Sequence, residues 1–357
     1  MSVEGISTSL TRHGRNTGRK SWLKLLALFV VPVLLSAGCG DDDNDSSDAK
    51  AKVEEATADK AITVRAGVND TEDSTVAVLE FLPEKVTVTK GSTVEWDWAD
   101  TIEPHSVTFQ AGATLPAPGP PDEALFAPSP PTGDFDGTAL TNSGLQPVGP
   151  APAADFKLTF SKPGTYQYFC VIHPLMTGSV DVVEGDEGVD SAASVTKRGD
   201  EELKPFLAEG RAAKEKLMSS VGAGTPVGNA TNWTVEMGTT TEHTDILAFA
   251  PVPVAAKAGD QVTFVNNSMA PHTATFGEYN PDPNDPTVVQ PAPGPSPQSL
   301  GSTGYFNTGQ LPPNSPPGSG PPLAARSFTF KIPAAGKYGY VCVLHVPSGM
   351  AGAIDAT

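Results

Sequence analysis

The chain has 357 residues, of which 38% are hydrophobic, 7% aromatic and 18% charged, with 35 Gly and 35 Pro; that much Gly and Pro favours many turns and excludes a coiled coil or a bundle of long helices. Against 41 acidic side chains stand only 23 basic ones, a formal charge of −18, which offers a phosphate backbone little attraction and argues against nucleic-acid binding. Six His and three Cys are too few for a large metal cluster, and Cys at positions 39, 170 and 342 do not make a disulfide framework. The acidity suits an exported, soluble surface and, more pointedly, a basic redox partner.

At the N-terminus Arg12, Arg15, Arg19, Lys20 and Lys24 precede an apolar run of 11 residues from Leu25 to Leu35, followed by Ser36-Ala37-Gly38-Cys39. This is the layout of a secretory signal, and the run is short of the roughly 20 residues that span a bilayer. The stretch ending at Cys39 resembles the lipobox of bacterial lipoproteins, although Ser36 stands where that motif usually carries an aliphatic residue. The resemblance implies cleavage before Cys39, lipidation of Cys39 and membrane attachment through the lipid. Residues 1–38 are thus expected to be a signal peptide, and their removal leaves 18 basic and 40 acidic groups, a net charge of −22. Residues 39–60, with DDDNDSSD near their start, cannot bury apolar surface and read as an acidic flexible tether.

The rest of the chain repeats itself. LEFLPEKVTVTKGSTVEWDW, PHSVTF and FKLTFSKPGTYQYFCVIHPLM return as LAFAPVPVAAKAGDQVTFVNN, PHTATF and FTFKIPAAGKYGYVCVLHVPSGM. His105 maps to His272 and Cys170 to Cys342, at offsets of 167 and 172 residues, far too long for a solenoid and right for a duplicated domain. Short alternating runs such as Val86-Thr87-Val88 and Val262-Thr263-Phe264, punctuated by Gly, Pro and Asn, predict antiparallel strands. The fold is expected to be all-β, two tandem antiparallel sandwiches or barrels at residues 61–185 and 229–357. Each Cys should end a penultimate strand that starts near Gly164 or Gly336, with final strands at Ser179 to Val183 and Ala351 to Ile354.

Between the copies, residues 186–228 read as a linker. Within it Leu203, Phe206, Leu207 and Leu217 at helical spacing predict one short amphipathic helix from Gly199 to Ser220, despite Pro205 and Gly210. Its expected task is packing or spacing. Each copy also carries a Pro-rich insertion, about 111–138 and 278–303, expected to form extended surface loops.

The chemistry lies in the loops after the two Cys. FCVIHPLM gives Cys170, His173 and Met176 as C-x2-H-x2-M with His105 upstream; YVCVLHVPSGM gives Cys342, His345 and Met350 as C-x2-H-x4-M with His272 upstream. A soft thiolate, two imidazoles and a weak thioether are the donors of a trigonal copper site with an axial Met, suited to electron transfer. Met269, three residues before His272, competes with Met350 as the thioether. A structural zinc site is the other metal these donors suit, though zinc seldom takes Met.

These loops resemble those of the cupredoxins, or type 1 blue copper proteins, the first like amicyanin and the second like plastocyanin and pseudoazurin. Both copies also keep Pro104 or Pro271 before the upstream His, and Asn-Ser-Gly or Asn-Thr-Gly at Asn142 and Asn307. The resemblance implies an eight-stranded Greek-key sandwich per domain and a type 1 copper in each; the family's two-domain members include enzymes, and it is the ligands and the shortage of further His that make this chain read as an electron carrier rather than an enzyme. The resemblance assigns His105, Cys170, His173 and Met176 to one copper and His272, Cys342, His345 and Met350 to the other, with His173 and His345 as exposed edges through which electrons pass to redox partner proteins. A copper-buffering protein is the alternative. An oxidase or reductase is a further one, but its catalytic copper needs several more His, and only His13 and His243 are left over.

Overall fold

In a computed structural model of the protein, which describes residues 61–112, 115–116, 122–146, 153–219, 224–278, 296–299, 305–314 and 321–357, the alternating runs are strands. The first half holds β1 (Ile62–Asn69), β2 (Val76–Leu82), β3 (Lys85–Thr89), β4 (Thr93–Asp97), β5 (Thr108–Phe109), β6 (Thr141–Asn142), β7 (Phe156–Thr159), β8 (Gly164–Phe169) and β9 (Thr177–Val183). A helix, α1 (Ala192–Ser219), leads to β10 (Thr225–Val227), β11 (Ala230–Thr240), β12 (Thr244–Ala250), β13 (Val254–Ala256), β14 (Gln261–Val265), β15 (Thr275–Phe276), β16 (Gln298–Ser299), β17 (Phe306–Asn307), β18 (Ser327–Lys331), β19 (Gly336–Val341) and β20 (Ala351–Ala356). Side chains of a strand point alternately to its two faces. Val86 and Val88 are accordingly buried while Thr87 and Thr89 are half-exposed, and Val180 and Val182 are buried beside half-exposed Asp181.

Each half is a sandwich of two sheets. Strands β2-β1-β4-β7 face β3-β9-β8-β5-β6, and β12-β11-β14-β18 face β13-β20-β19-β15-β17. Parallel pairs β1/β4 and β3/β9 recur as β11/β14 and β13/β20, so one Greek-key topology is built twice, with β10 and β16 added to the second copy. The cores correspond as well. Tyr168 packs edge-on against Phe81 and Trp96, with ring centroids 4.7 and 5.2 Å away, and Tyr340 does the same with Phe249 and Phe264 at 4.9 Å each.

What joins the halves is a strand pair. β2 runs antiparallel to β12, with Val76 opposite Ile246, Ala77 opposite Asp245 and Val78 opposite Thr244, and the two first sheets merge into one of ten strands. Ala77 and Asp245 hold the same place in the repeat, so the contact is self-complementary, as in a two-fold dimer. Every residue of both strands is buried; left unpaired, these apolar edges would invite aggregation, and pairing them with each other removes that hazard.

The helix spans 28 residues rather than the short stretch expected, because it starts at Ala192. Its beginning is set by Ser191 and Ser194, whose hydroxyls accept each other's backbone N–H at 3.1 and 2.9 Å, a reciprocal cap of the capping-box kind. Leu203, Phe206 and Leu207 pack on Val68, Val78 and Leu82, and Leu217 on Val76 and Ile246, so α1 roofs the seam between the halves. Arg211 clamps the buried Asp70 carboxylate after β1 with two hydrogen bonds of 2.6 and 2.8 Å. In the first Pro-rich insertion, Phe135 is buried against Phe160 and Tyr166. Most of the second insertion, the signal segment, Cys39 and the tether lie outside the described residues. Among the described residues no helix is long and apolar enough to cross a membrane.

Candidate metal centres

His105 lies between β4 and β5, its backbone paired with Gln146 through two 2.7 Å hydrogen bonds. Cys170 follows β8 directly, and the turn to β9 is closed by bonds from Met176 N–H to the His173 carbonyl (2.9 Å) and from Cys170 N–H to the Met176 carbonyl (3.0 Å). These ties bring together three groups distant in the chain. His105 Nδ1 is 3.0 Å from His173 Nδ1, and Cys170 Sγ is 4.0 and 3.5 Å from them. Met176 is fully buried in the same core.

The second half repeats this closely. His272 Nδ1 is 3.0 Å from His345 Nδ1, and Cys342 Sγ lies 3.7 and 3.3 Å from them. Met350, 1% exposed, belongs to the core of Cys342, whereas the competing Met269 is half-buried outside it. Backbone amides donate to both sulfurs, from Ser106 at 3.3 Å and Thr273 at 3.4 Å. The Ser106 and Thr273 hydroxyls accept from Val171 and Val343 N–H at 2.9 and 3.0 Å, lacing each Cys loop to its upstream His.

Two imidazole nitrogens 3.0 Å apart, with a thiol beside them and almost no water, are poorly placed to satisfy each other. At most one proton fits between them. A single cation that accepts both lone pairs and a thiolate fits all three donors, and copper is the metal for that set. Among the described residues these are the two clusters of three or more His, Cys, Asp or Glu that could hold a metal ion. His243 joins neither; its Nδ1 is 2.7 Å from Glu80, and its ring stacks on Phe206.

Two glycines not expected from the repeat alone back the upstream histidines. Gly67 and Gly238 sit at bulges in β1 and β11 with φ of +80°, a region that costs other residues about 1–2 kcal/mol. A Cβ on Gly67 would lie 2.2 Å from His105 Nε2, and one on Gly238 would lie 3.0 Å from His272 Nε2. The signal was present in the alignment, where Gly67-Val68-Asn69 matches Gly238-Thr239-Thr240.

The surroundings then diverge. In the first centre His105 Nε2 is buried with no hydrogen-bond partner, His173 is half-buried, and the adjacent Leu175 is 54% exposed. In the second, His272 Nε2 is 2.8 Å from the Ser268 hydroxyl. His345 Nε2 is 3.3 Å from Glu103, a residue of the first half, whose other oxygen accepts a 2.9 Å bond from Ser348. His345 is therefore only 5% exposed, which overturns the expectation of an exposed edge there. The cause is the β2–β12 pairing, which lays the first half across that loop.

Protonation follows the same divide. Burial, then the charge of His173, holds His105 well below the ordinary histidine value, and burial brings His173 down to about 4. Burial raises the Cys170 thiol, against the pull of the backbone donors. At the second centre burial acts in the same sense but loses. The charges of Glu103 and Cys342 lift His345 well above its usual value, and His345 with the hydrogen bonds of both histidines draws Cys342 well below that of a thiol.

Comparison with known proteins sets the first half of the chain beside copper-binding proteins. The family described as copper binding proteins, plastocyanin/azurin family, matches residues 68–183. The chain is 34% identical over 108 residues to a chloroplastic plastocyanin of Tetradesmus obliquus, covering 30% of this chain and 57% of that one. It is 32% identical to a plastocyanin of Scenedesmus fuscus, covering 30% and 85%, and 28% identical to amicyanin-alpha of Methylorubrum extorquens, covering 30% and 67%. Among solved structures, amicyanin from Paracoccus versutus aligns at 22% identity over 34% of this chain and 81% of that one, with a TM-score of 0.22.

Proposed function

The chain belongs to the plastocyanin/azurin family of copper-binding proteins, and from that premise we propose that it is an electron carrier with two type 1 copper sites, one in each sandwich. The observation that carries this reading is the doubled cluster, His105/Cys170/His173 and His272/Cys342/His345, with both Nδ1–Nδ1 distances at 3.0 Å. Met176 and Met350, buried in the cores of Cys170 and Cys342, would supply the weak thioether donors. When bound, copper supplies a centre that takes up and releases one electron by cycling between Cu(II) and Cu(I).

The protein's own part is to hold still. Each upstream His is backed by a glycine bulge, each Cys loop is laced to its neighbour through a hydroxyl, and each sulfur accepts a backbone N–H. A rigid, buried donor set needs little rearrangement as charge changes, which is what fast electron transfer requires. The exposed Leu175 beside His173 gives the first site an apolar landing place, so His173 is the proposed route to a redox partner protein. An acidic surface favours a basic partner.

The domains of this proposal are 61–185 and 229–357 with residues 186–228 between them, an exported protein tethered at the cell surface or periplasmic face by a lipid on Cys39. Loading residues 61–357 with copper tests the core of it. Two coppers per chain, an intense visible thiolate-to-copper band and narrow EPR hyperfine splitting are expected. A colourless protein, or one that retains zinc, would sink it.

A further inference from the structure

The repeat register places Glu103 and Ala270 at equivalent positions, each two residues before its upstream His. The strand pairing at the seam is self-complementary, and of these two positions Glu103 is the one shown to reach the opposite half. The result is unequal. Glu103 reaches His345 across the seam, whereas the equivalent Ala270 has no polar side-chain atom to offer a histidine. Glu103 is also held in place. Asn69 Oδ1 accepts the Ile102 N–H at 2.7 Å, the Thr101 hydroxyl accepts the Glu103 N–H at 3.2 Å, and Ser348 donates to the carboxylate at 2.9 Å. Ser348 belongs to the two extra residues of the second Cys loop and is itself tied to the first half, its carbonyl accepting from Ser74 at 3.0 Å.

We infer that Glu103, contributed by the first domain, is a positioning residue of the second domain's metal centre: it accepts the His345 Nε2–H, leaves Nδ1 to face the metal, and holds that centre's reduction potential below that of the first. The inference rests on the copper reading above. A carboxylate on the far nitrogen of a metal-bound His fixes the ring and raises its basicity, and a more basic, more anionic surrounding favours the more positively charged metal state. Glu103 is only 7% exposed, so solvent screens it little. In the singly reduced protein the electron then rests in the first centre, where His173 and Leu175 face a partner, and the second centre is an interior store.

Two substitutions and one measurement on the unaltered protein test this. Glu103→Ala reproduces the first centre's situation, and Ala270→Glu offers His173 the missing carboxylate. With both centres loaded, spectroelectrochemistry reads how one electron divides between them. Glu103→Ala is expected to shift that division tenfold or more toward the second centre, about 59 mV for a one-electron couple, with Glu103→Gln between it and the parent. Ala270→Glu is expected to shift it the same way by lowering the first centre. In the metal-free parent, NMR should show a slowly exchanging His345 Nε2–H, which decides the contact even if the alanine variant fails to fold. A division unmoved by these changes, or a fast-exchanging ring proton, overturns the assignment. Two bound coppers with an unmoved division would sink this inference alone, whereas a parent that binds no copper would take the electron-carrier reading down with it.

Discussion

The two candidate metal centres share three potential donors, the same nitrogen–nitrogen distance and the same backing glycine, yet one opens beside an exposed leucine and the other is sealed by its sister domain. Duplication copied everything local: the strand ends, the amide that donates to each sulfur, the bulge behind each upstream His. It did not copy the environment. The second centre's far side is made by the opposite half, and the halves differ at Glu103 and Ala270 and in the two added residues that bring Ser348. Identical ligand chemistry can thus be given two roles by changing what the seam presents.

The comparison breaks most sharply at the sulfurs. Cys170→Ser and Cys342→Ser should each remove one copper and its share of the visible absorption, leaving the other band intact; retention of both bands in either variant would show that the clusters are not separate sites. Next come the backing glycines. Gly67→Ala combines a φ of +80° with a Cβ only 2.2 Å from the His105 ring, and should cost about 2–4 kcal/mol and weaken copper binding at the first site alone. In Gly238→Ala the first obstacle is the Ile246 carbonyl at 2.7 Å, so stability should fall while the His272 ring moves less. Denaturant titrations with and without copper distinguish the two outcomes.

A third difference separates the central strands, where Glu80 of β2 corresponds to Ala248 of β12. Burial raises the Glu80 carboxyl from 4.5 to about 7, offset only in part by its hydrogen bond with His243. The folded state holds this proton more tightly than the unfolded one, so the group's contribution is fully present below pH 4.5 and is lost as the pH rises through 7. The loss is about 3 kcal/mol. Glu80→Gln should flatten the stability profile between pH 5 and 8, and an unchanged slope would place the proton elsewhere. The smallest effect concerns the roof. A Cβ on Gly210 would lie 2.5 Å from Val76, so Gly210→Val should lift α1 from the seam at a cost of about 1–3 kcal/mol. If the halves depend on that roof, they should then melt in two steps instead of one.

Much of this was legible in the chain. Strand alternation, the repeat and the Cys-His-Met loops are local patterns, and the structure sets Cys170 and Cys342 at strand ends, with Met350 rather than Met269 in the core beside Cys342. The helix start was missed because its signal, Ser191 with Ser194, is a pair of small polar residues that also suits a loop. Gly210, with Pro205, reads as a weakness of the helix. A Cβ on Gly210 would lie 2.5 Å from Val76, and one on Gly199 would lie 3.1 Å from the Leu82 backbone, so both glycines sit where α1 packs closely on the first half.

The sequence by itself carried the Cys-His-Met loops, their doubling and the strand alternation, because spacing along one loop and alternation along one strand are properties of near neighbours. Only the tertiary structure decided that His345 is buried and that Glu103 serves a centre in the other domain. That contact depends on β2 pairing with β12 in one register, and register is set by the mutual burial of two edges far apart in the chain, which no local pattern encodes.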